Sequence, residues 1–240
     1  MTSLHSLGKR AAPLLLMIAA WEAAVMTGLV DRAFLPAAHD VGAALADLFG
    51  ERTPWKELAV STYRSVAGLF AGSIFGIVAG VLMATSHRLE AFVGPLVSMT
   101  YSLPKASLVP LFILWFGIGD FTIMLTVFLA TLLPVVVNTY HGVKAVPATL
   151  VWSAQAMGDR PWAILRRVLL PASAPQIATG IRIALGFSWV LTISAEMIAA
   201  KTGIGKLVFL YGESGAYAHM FAGIVAIVLV AFCLDRATVA

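Results

Sequence analysis

Three charged side chains stand out because their chemistry conflicts with their surroundings, and a tryptophan shares a helix face with two of them. Lys105, Arg182, Trp189 and Glu196 all lie in otherwise apolar runs. An ionised group in such a run is costly, and it usually faces a bundle interior or a water-filled path. All four are therefore candidates for lining a translocation path. Lys105 follows Pro104 and would offer a cation to an anionic solute. Arg182, Trp189 and Glu196 fall seven residues apart, which puts them on one face of a helix. The two charges are then about 21 Å apart along its axis, too far to pair with each other. Each needs another partner. For Arg182 the alternatives are a path and a headgroup reached by snorkelling. For Glu196 they are a path or gate role and a structural hydrogen bond. Glu22 suits pairing between helices or a place near the outer interface.

Conventional catalytic sets do not assemble. Thr202 to Leu207 reads TGIGKL, but a phosphate-binding loop needs glycine where Ala200 stands and a hydroxyl where Leu207 stands. A tight turn is the better reading. Gly212-Glu213-Ser214-Gly215 offers a serine, yet no histidine follows His219, and a nucleophile without a placed base is inert. The five histidines form no metal-ligand spacing, and the lone Cys233 excludes a disulfide framework within one chain. Neither a catalytic nor a metal site is expected.

The elements that must position these residues are membrane helices. Hydrophobic residues make up 60% of the chain and charged residues 12%, with a mean hydropathy of +0.92. A soluble domain carries about a quarter charged residues. Six apolar runs cover residues 11–30, 65–84, 92–117, 121–140, 175–199 and 216–234, the third interrupted by Pro95, Pro104 and Pro110. Backbone in lipid must satisfy itself, and no alternating pattern suggests a barrel, so an all-α polytopic protein of about six spans follows. A signal peptide is the alternative for the first run, which is long for an h-region. With the N-terminus inside, the inner connections hold eight basic residues, Lys9 and Arg10 among them, against three acids. The outer ones hold six basics, Arg64 among them, against seven acids. The bias puts both termini in the cytosol. It also accounts for the net charge of +4 without nucleic acid, for which no basic cluster with interleaved aromatics exists. Residues 39–50 carry helical apolar spacing and read as a short helix along the outer face.

Gly68, Gly72, Gly76 and Gly80 form a smooth stripe on the second span, suited to close packing within the bundle or across a dimer interface. The long polar interruption, residues 144–171, lies on the cytosolic side. Leu150, Val151, Ala154 and Met157 suggest one short helix with an apolar face. Gly158 supplies a permissive turn, Asp159 an N-cap, and Pro161 a first-turn residue of a second helix. Trp162, Leu165 and Leu169 give that helix an apolar side, and Arg160, Arg166 and Arg167 a cationic one. Leu170-Pro171 would end it. On spacing alone, a docking knob and an interfacial amphipathic helix are equally good readings.

The loop's G-x9-V-x-L-P spine, from Gly158 to Pro171, resembles the coupling loop of binding-protein-dependent permeases of ABC importers. So do SLPKASLVPLFILWFGIGD at residues 102–120 and IRIALGFSWVLTISAEMIAAKTGIG at 181–205. Within that family the chain is similar to the nitrate/sulfonate/taurine group. The resemblance implies a type I importer permease, a single transmembrane domain over residues 1–240, in a bacterial inner membrane. It implies two copies around one path, a periplasmic binding protein, and cytosolic ATPase subunits that bind ATP and Mg in place of this chain. Ala154, Met157, Gly158, Asp159, Arg160, Trp162, Leu170 and Pro171 would form the ATPase-coupling element. One departure is Trp152, which stands where the family's loop usually has glutamate, removing one polar contact to the ATPase. A small anion, such as an alkanesulfonate, taurine or nitrate, is the implied solute. Related permeases also serve neutral solutes such as pyrimidine precursors. A secondary transporter is the rival, but it would usually show inverted repeats.

Overall fold

The computed structural model describes the backbone of residues 2–32 and 34–239 and the side chains of residues 12–32 and 34–237. Lys9 and Arg10, counted above for orientation, lie outside the described side chains, as does His5. The described chain is helical throughout, without a strand. Helix α1 covers Thr2–Met26, α2 Ala38–Gly50 and α3 Arg52–Thr85. Helix α4 covers His87–Tyr101; a 3-10 turn at Lys105–Leu108 leads into α5, Val109–Phe116. Then come α6, Asp120–Lys144, α7, Ala148–Ala156, and α8, Pro161–Ile164. A π-helical turn at Leu165–Leu169 joins α8 to α9, Leu170–Ala199. The chain finishes with α10, Ile204–Glu213, and α11, Tyr217–Val239.

Four helices are long and apolar enough to cross a membrane: α3, α6, the continuous Pro161–Ala199 helix and α11. The run at 92–117 is two helices, His87–Tyr101 and Lys105–Phe116, bent by 91° and together making a fifth candidate. Pro104 explains the break, because it lacks the N–H that would continue the ladder and forces Leu103 out of helical geometry. The sixth run is α1, whose described apolar part, Ala12–Met26, is shorter than a full crossing.

The bundle's centre is a stack of α3 on α6 on α9. The stripe on α3 makes the first contact possible. A Cβ at Gly68 would stand 2.6 Å from Val127, at Gly72 2.1 Å from the Thr131 hydroxyl, at Gly76 2.8 Å from Val135, and at Gly80 2.6 Å from Thr139. Real Cβ atoms do not approach so closely, so the two backbones meet only because four side chains are absent. Gly142 and Gly180 do the same for α6 and α9, against Gln176 and Asn138, whose amides are joined by a 3.1 Å hydrogen bond. Ser65 and Ser188 link α3 to α9 at 2.8 Å. On the flank, Val41, Ala44 and Leu48 of α2 pack against Ala222 of α11. Glu22 pairs between helices: it accepts the Ala38 N–H at the start of α2 at 2.7 Å and meets His39 at 2.6 Å.

Candidate functional sites at the two ends of the bundle

Residues 145–169 form a knob between the C-terminus of α6 and α9. Helix α7 buries only Ala154, and Ile164 is buried from the second helix. Gly158 turns the chain at φ +83°, in the left-handed region where a Cβ is strained. Leu150 is exposed, as are Trp152 (64%), Met157 (77%) and Trp162 (70%). The expected apolar face of α7 is thus divided: Ala154 points inward, whereas Leu150 and Met157 join the two tryptophans outside. So many large apolar side chains turned outward on a polar loop mark a surface that binds something.

Two local expectations are corrected. Arg160, not Asp159, is the N-cap of α8; the Asp159 carboxylate instead accepts from Arg167 at 3.2 Å. Leu170-Pro171 does not end the second helix, which runs unbroken from Pro161 to Ala199. Pro171 would clash with the carbonyl one turn earlier in a regular α-helix. The wider π-helical turn at Leu165–Leu169 falls where that carbonyl lies and accommodates it. The second half of the knob, from Pro161 onward, is therefore continuous with α9 and not hinged onto it by a loop.

At the opposite end of the same helices lies a buried ion cluster. Glu196 is fully enclosed and Arg64 is 3% exposed. Arg64 Nη1 donates to Glu196 Oε1 and to the Thr202 carbonyl, both at 2.7 Å. Its Nη2 donates to Asp120 Oδ1 at 2.5 Å and to Thr202 Oγ1 at 3.0 Å, and Nε reaches Asp120 Oδ1 at 2.9 Å. All five guanidinium protons are used. Glu196 also accepts from Ser61 Oγ at 2.7 Å and from the Gly205 N–H at 3.0 Å. Ser61 in turn accepts the Ile204 N–H at 2.9 Å, and Glu57 accepts the Gly203 N–H. A Cβ on Gly203, which sits at φ +118°, would fall 2.4 Å from the Glu196 carboxyl carbon. The glycine turn that superficially suggested a nucleotide loop is thus the cradle of a carboxylate. The cluster ties α3, α6, α9 and α10 together.

For Glu196 the geometry shows the hydrogen bonds that the structural reading requires. Its partner is Arg64, which the apolar runs place in an outer connection. In fact α3 begins at Arg52, which puts Arg64 about three turns inside it. A signal did exist: Arg64 continues the four-residue spacing of the glycine stripe backwards, with Glu57, Ser61 and Ser65 in register with one another one position to its side.

The other path candidates are separated. Arg182 makes a two-point ion pair with Asp235 of α11, both bonds 2.7 Å. This pair and Trp189 border an apolar groove of about 640 Å³ between α9 and α11. Trp189 itself packs with Leu69, Val135, Ala184 and Leu185. Lys105 borders a different cavity, at the bend after α4. No group of metal-ligating side chains occurs among the described residues.

The described residues thus form a helical bundle with a bent fourth element and a knob before its longest helix. Residues 72–240 match the family described as binding-protein-dependent transport system inner membrane component. The chain belongs to that family and is a transport permease, the class read from its loop and flanking motifs. Among curated relatives, the taurine transport system permease protein TauC of Escherichia coli (strain K12) is 34% identical over 92% of this chain and 82% of its own length. The putative aliphatic sulfonates transport permease protein SsuC of the same organism is 33% identical over 80% of this chain and 73% of its own. The fold matches a chain of the MetNI methionine ABC transporter in an inward-facing conformation. That match has a TM-score of 0.65 at 21% identity and covers 76% of this chain and 91% of the other.

Proposed function

We propose that this chain is the translocation subunit of an ATP-driven importer of a small organosulfonate or related anion. The observation that carries the reading is the knob: Leu150, Trp152 and Met157 stand exposed at α7 beside Trp162, whose own helix runs unbroken into α9. The occupant of that surface is a cytosolic ATPase, which binds ATP and Mg and performs the hydrolysis. Ala154 and Ile164 anchor the knob, Gly158 shapes it, and Arg160 with Asp159 and Arg167 supplies polar contacts around the apolar centre. Because the helix runs unbroken from Pro161 to Ala199, displacement of the knob moves α9, and with it α6 and α3. Two copies enclose the path in a bacterial inner membrane, and a periplasmic binding protein delivers the solute. The anion assignment draws on the taurine and sulfonate transport named for the relatives.

The test is purification and reconstitution. The chain should co-purify with an ATPase, and proteoliposomes holding the complex and its binding protein should accumulate the sulfonate only with ATP. Uptake driven by a proton gradient without ATP would refute the proposal.

A further inference from the structure

Three cations interrupt the apolar elements, Arg64 buried, Lys105 half-buried and Arg182 exposed, and two of them face carboxylates. Arg64 meets Glu196 and Asp120, and Arg182 meets Asp235. Lys105 differs. Its Nζ donates to the Tyr101 carbonyl at 2.6 Å and stands 5.4 Å from the Tyr101 ring centre, and no carboxylate pairs with it among the described residues. The carbonyl belongs to the last turn of α4, where helix ends leave acceptors unsatisfied. It uses one of three ammonium protons, leaving two donors and a full charge. An uncompensated ammonium at such a place is expensive unless something anionic or aqueous meets it.

The place is a cavity of about 300 Å³ inside the 91° bend, walled by Tyr101, Leu133, Pro134, Phe187 and Leu191 beside Lys105. That volume equals the share of liquid taken by roughly ten waters, enough for a solute of several heavy atoms. Its wall is aliphatic and aromatic, and no carboxylate borders it. We propose that this cavity is an anion subsite of the path, in which Lys105 holds the charged head of a small organic anion and the wall receives its apolar tail. The inference rests on the importer reading and names the chemistry of its solute. A lysine suits transit, being a hydrated point charge on a flexible stem that holds an oxyanion without the bidentate lock of arginine. A solute with an ammonium on its tail, such as taurine, finds no counter-charge there. An alkanesulfonate therefore binds better than its amino-substituted analogue.

The direct test is protection from labelling. Ala106 borders the cavity, and Cys233 is the single native thiol. In a C233S/A106C permease complexed with its ATPase, millimolar ethanesulfonate should slow modification by a cationic methanethiosulfonate. Taurine should do so less, and adding K105M should abolish the protection. In ATP-driven uptake, K105M should lose about tenfold or more, as for a lost charge-assisted hydrogen bond. K105R should recover the protection but only part of the uptake, and yields of assembled complex measure folding separately. Protection that persists with K105M, or that is equal for taurine, overturns the subsite. Because labelling needs neither ATP nor a binding protein, that outcome leaves the importer reading standing. Conversely, failure of the ATPase to co-purify would sink the importer reading first.

Discussion

Replacing Arg64 by methionine tests the ion cluster most sharply. The substitution keeps length and apolar packing while removing the cation from a carboxylate with no exposure. Breaking one side of such a buried pair typically costs about 3–5 kcal/mol, because the remaining charge stays enclosed. Two further losses follow: the Thr202 carbonyl and Asp120 each give up donors that Arg64 had supplied. E196Q should be milder, about 1–3 kcal/mol. Arg64 retains Asp120 and Thr202 in that variant, but the new amide must turn its NH2 toward either Arg64 or the Gly205 N–H, both donors. A double variant, R64M/E196M, leaves no buried charge at the pair and should cost less than the two single changes added together. The assay is thermal unfolding of the detergent-purified permease, where 1 kcal/mol corresponds to roughly 2–4 °C at this chain length. R64M should therefore lower Tm on the order of 10 °C. The reasoning is refuted if R64M shifts Tm by less than about 2 °C, or if the two substitutions prove strictly additive. Since the knob lies at the other end, complexes of E196Q that survive purification should still bind the ATPase.

Two further outcomes are expected. G158V should reduce co-purification with the ATPase while leaving membrane insertion intact. A Cβ there meets no neighbour within 4 Å, so its cost is the left-handed backbone, about 1–3 kcal/mol; normal complex yield and uptake would count against the knob as the docking element. G72A should cost about 1–3 kcal/mol by thermal unfolding, because its Cβ meets the Thr131 hydroxyl at 2.1 Å. Adding T131A should recover part of that loss, and no recovery would mean that the contact is not the cause.

The class of protein was legible because its signals are local. Apolar runs, a glycine every four residues and a Gly158-to-Pro171 spine follow from near neighbours in the chain, and helices in lipid must form from such runs. The stripe even indicated its own use, since only a close backbone could need four absent side chains. Helix ends were less legible. Nothing in the composition around Pro171 announces that a π-helical turn will carry the helix past it, and Asp159 has the right residue type for a cap it does not make.

The sequence alone determined a helical membrane chain with a polar interruption on one side, because periodicity is a property of neighbouring residues, and its resemblance to permeases supplied the class. Tertiary structure alone decided which charges meet. Arg64 reaches across 132 positions to Glu196, and Arg182 across 53 to Asp235. Such pairings depend on how three helices stack, a fact that spacing along one helix does not contain. The same stacking leaves Lys105 without a carboxylate among the described residues, the observation on which the proposed anion subsite rests.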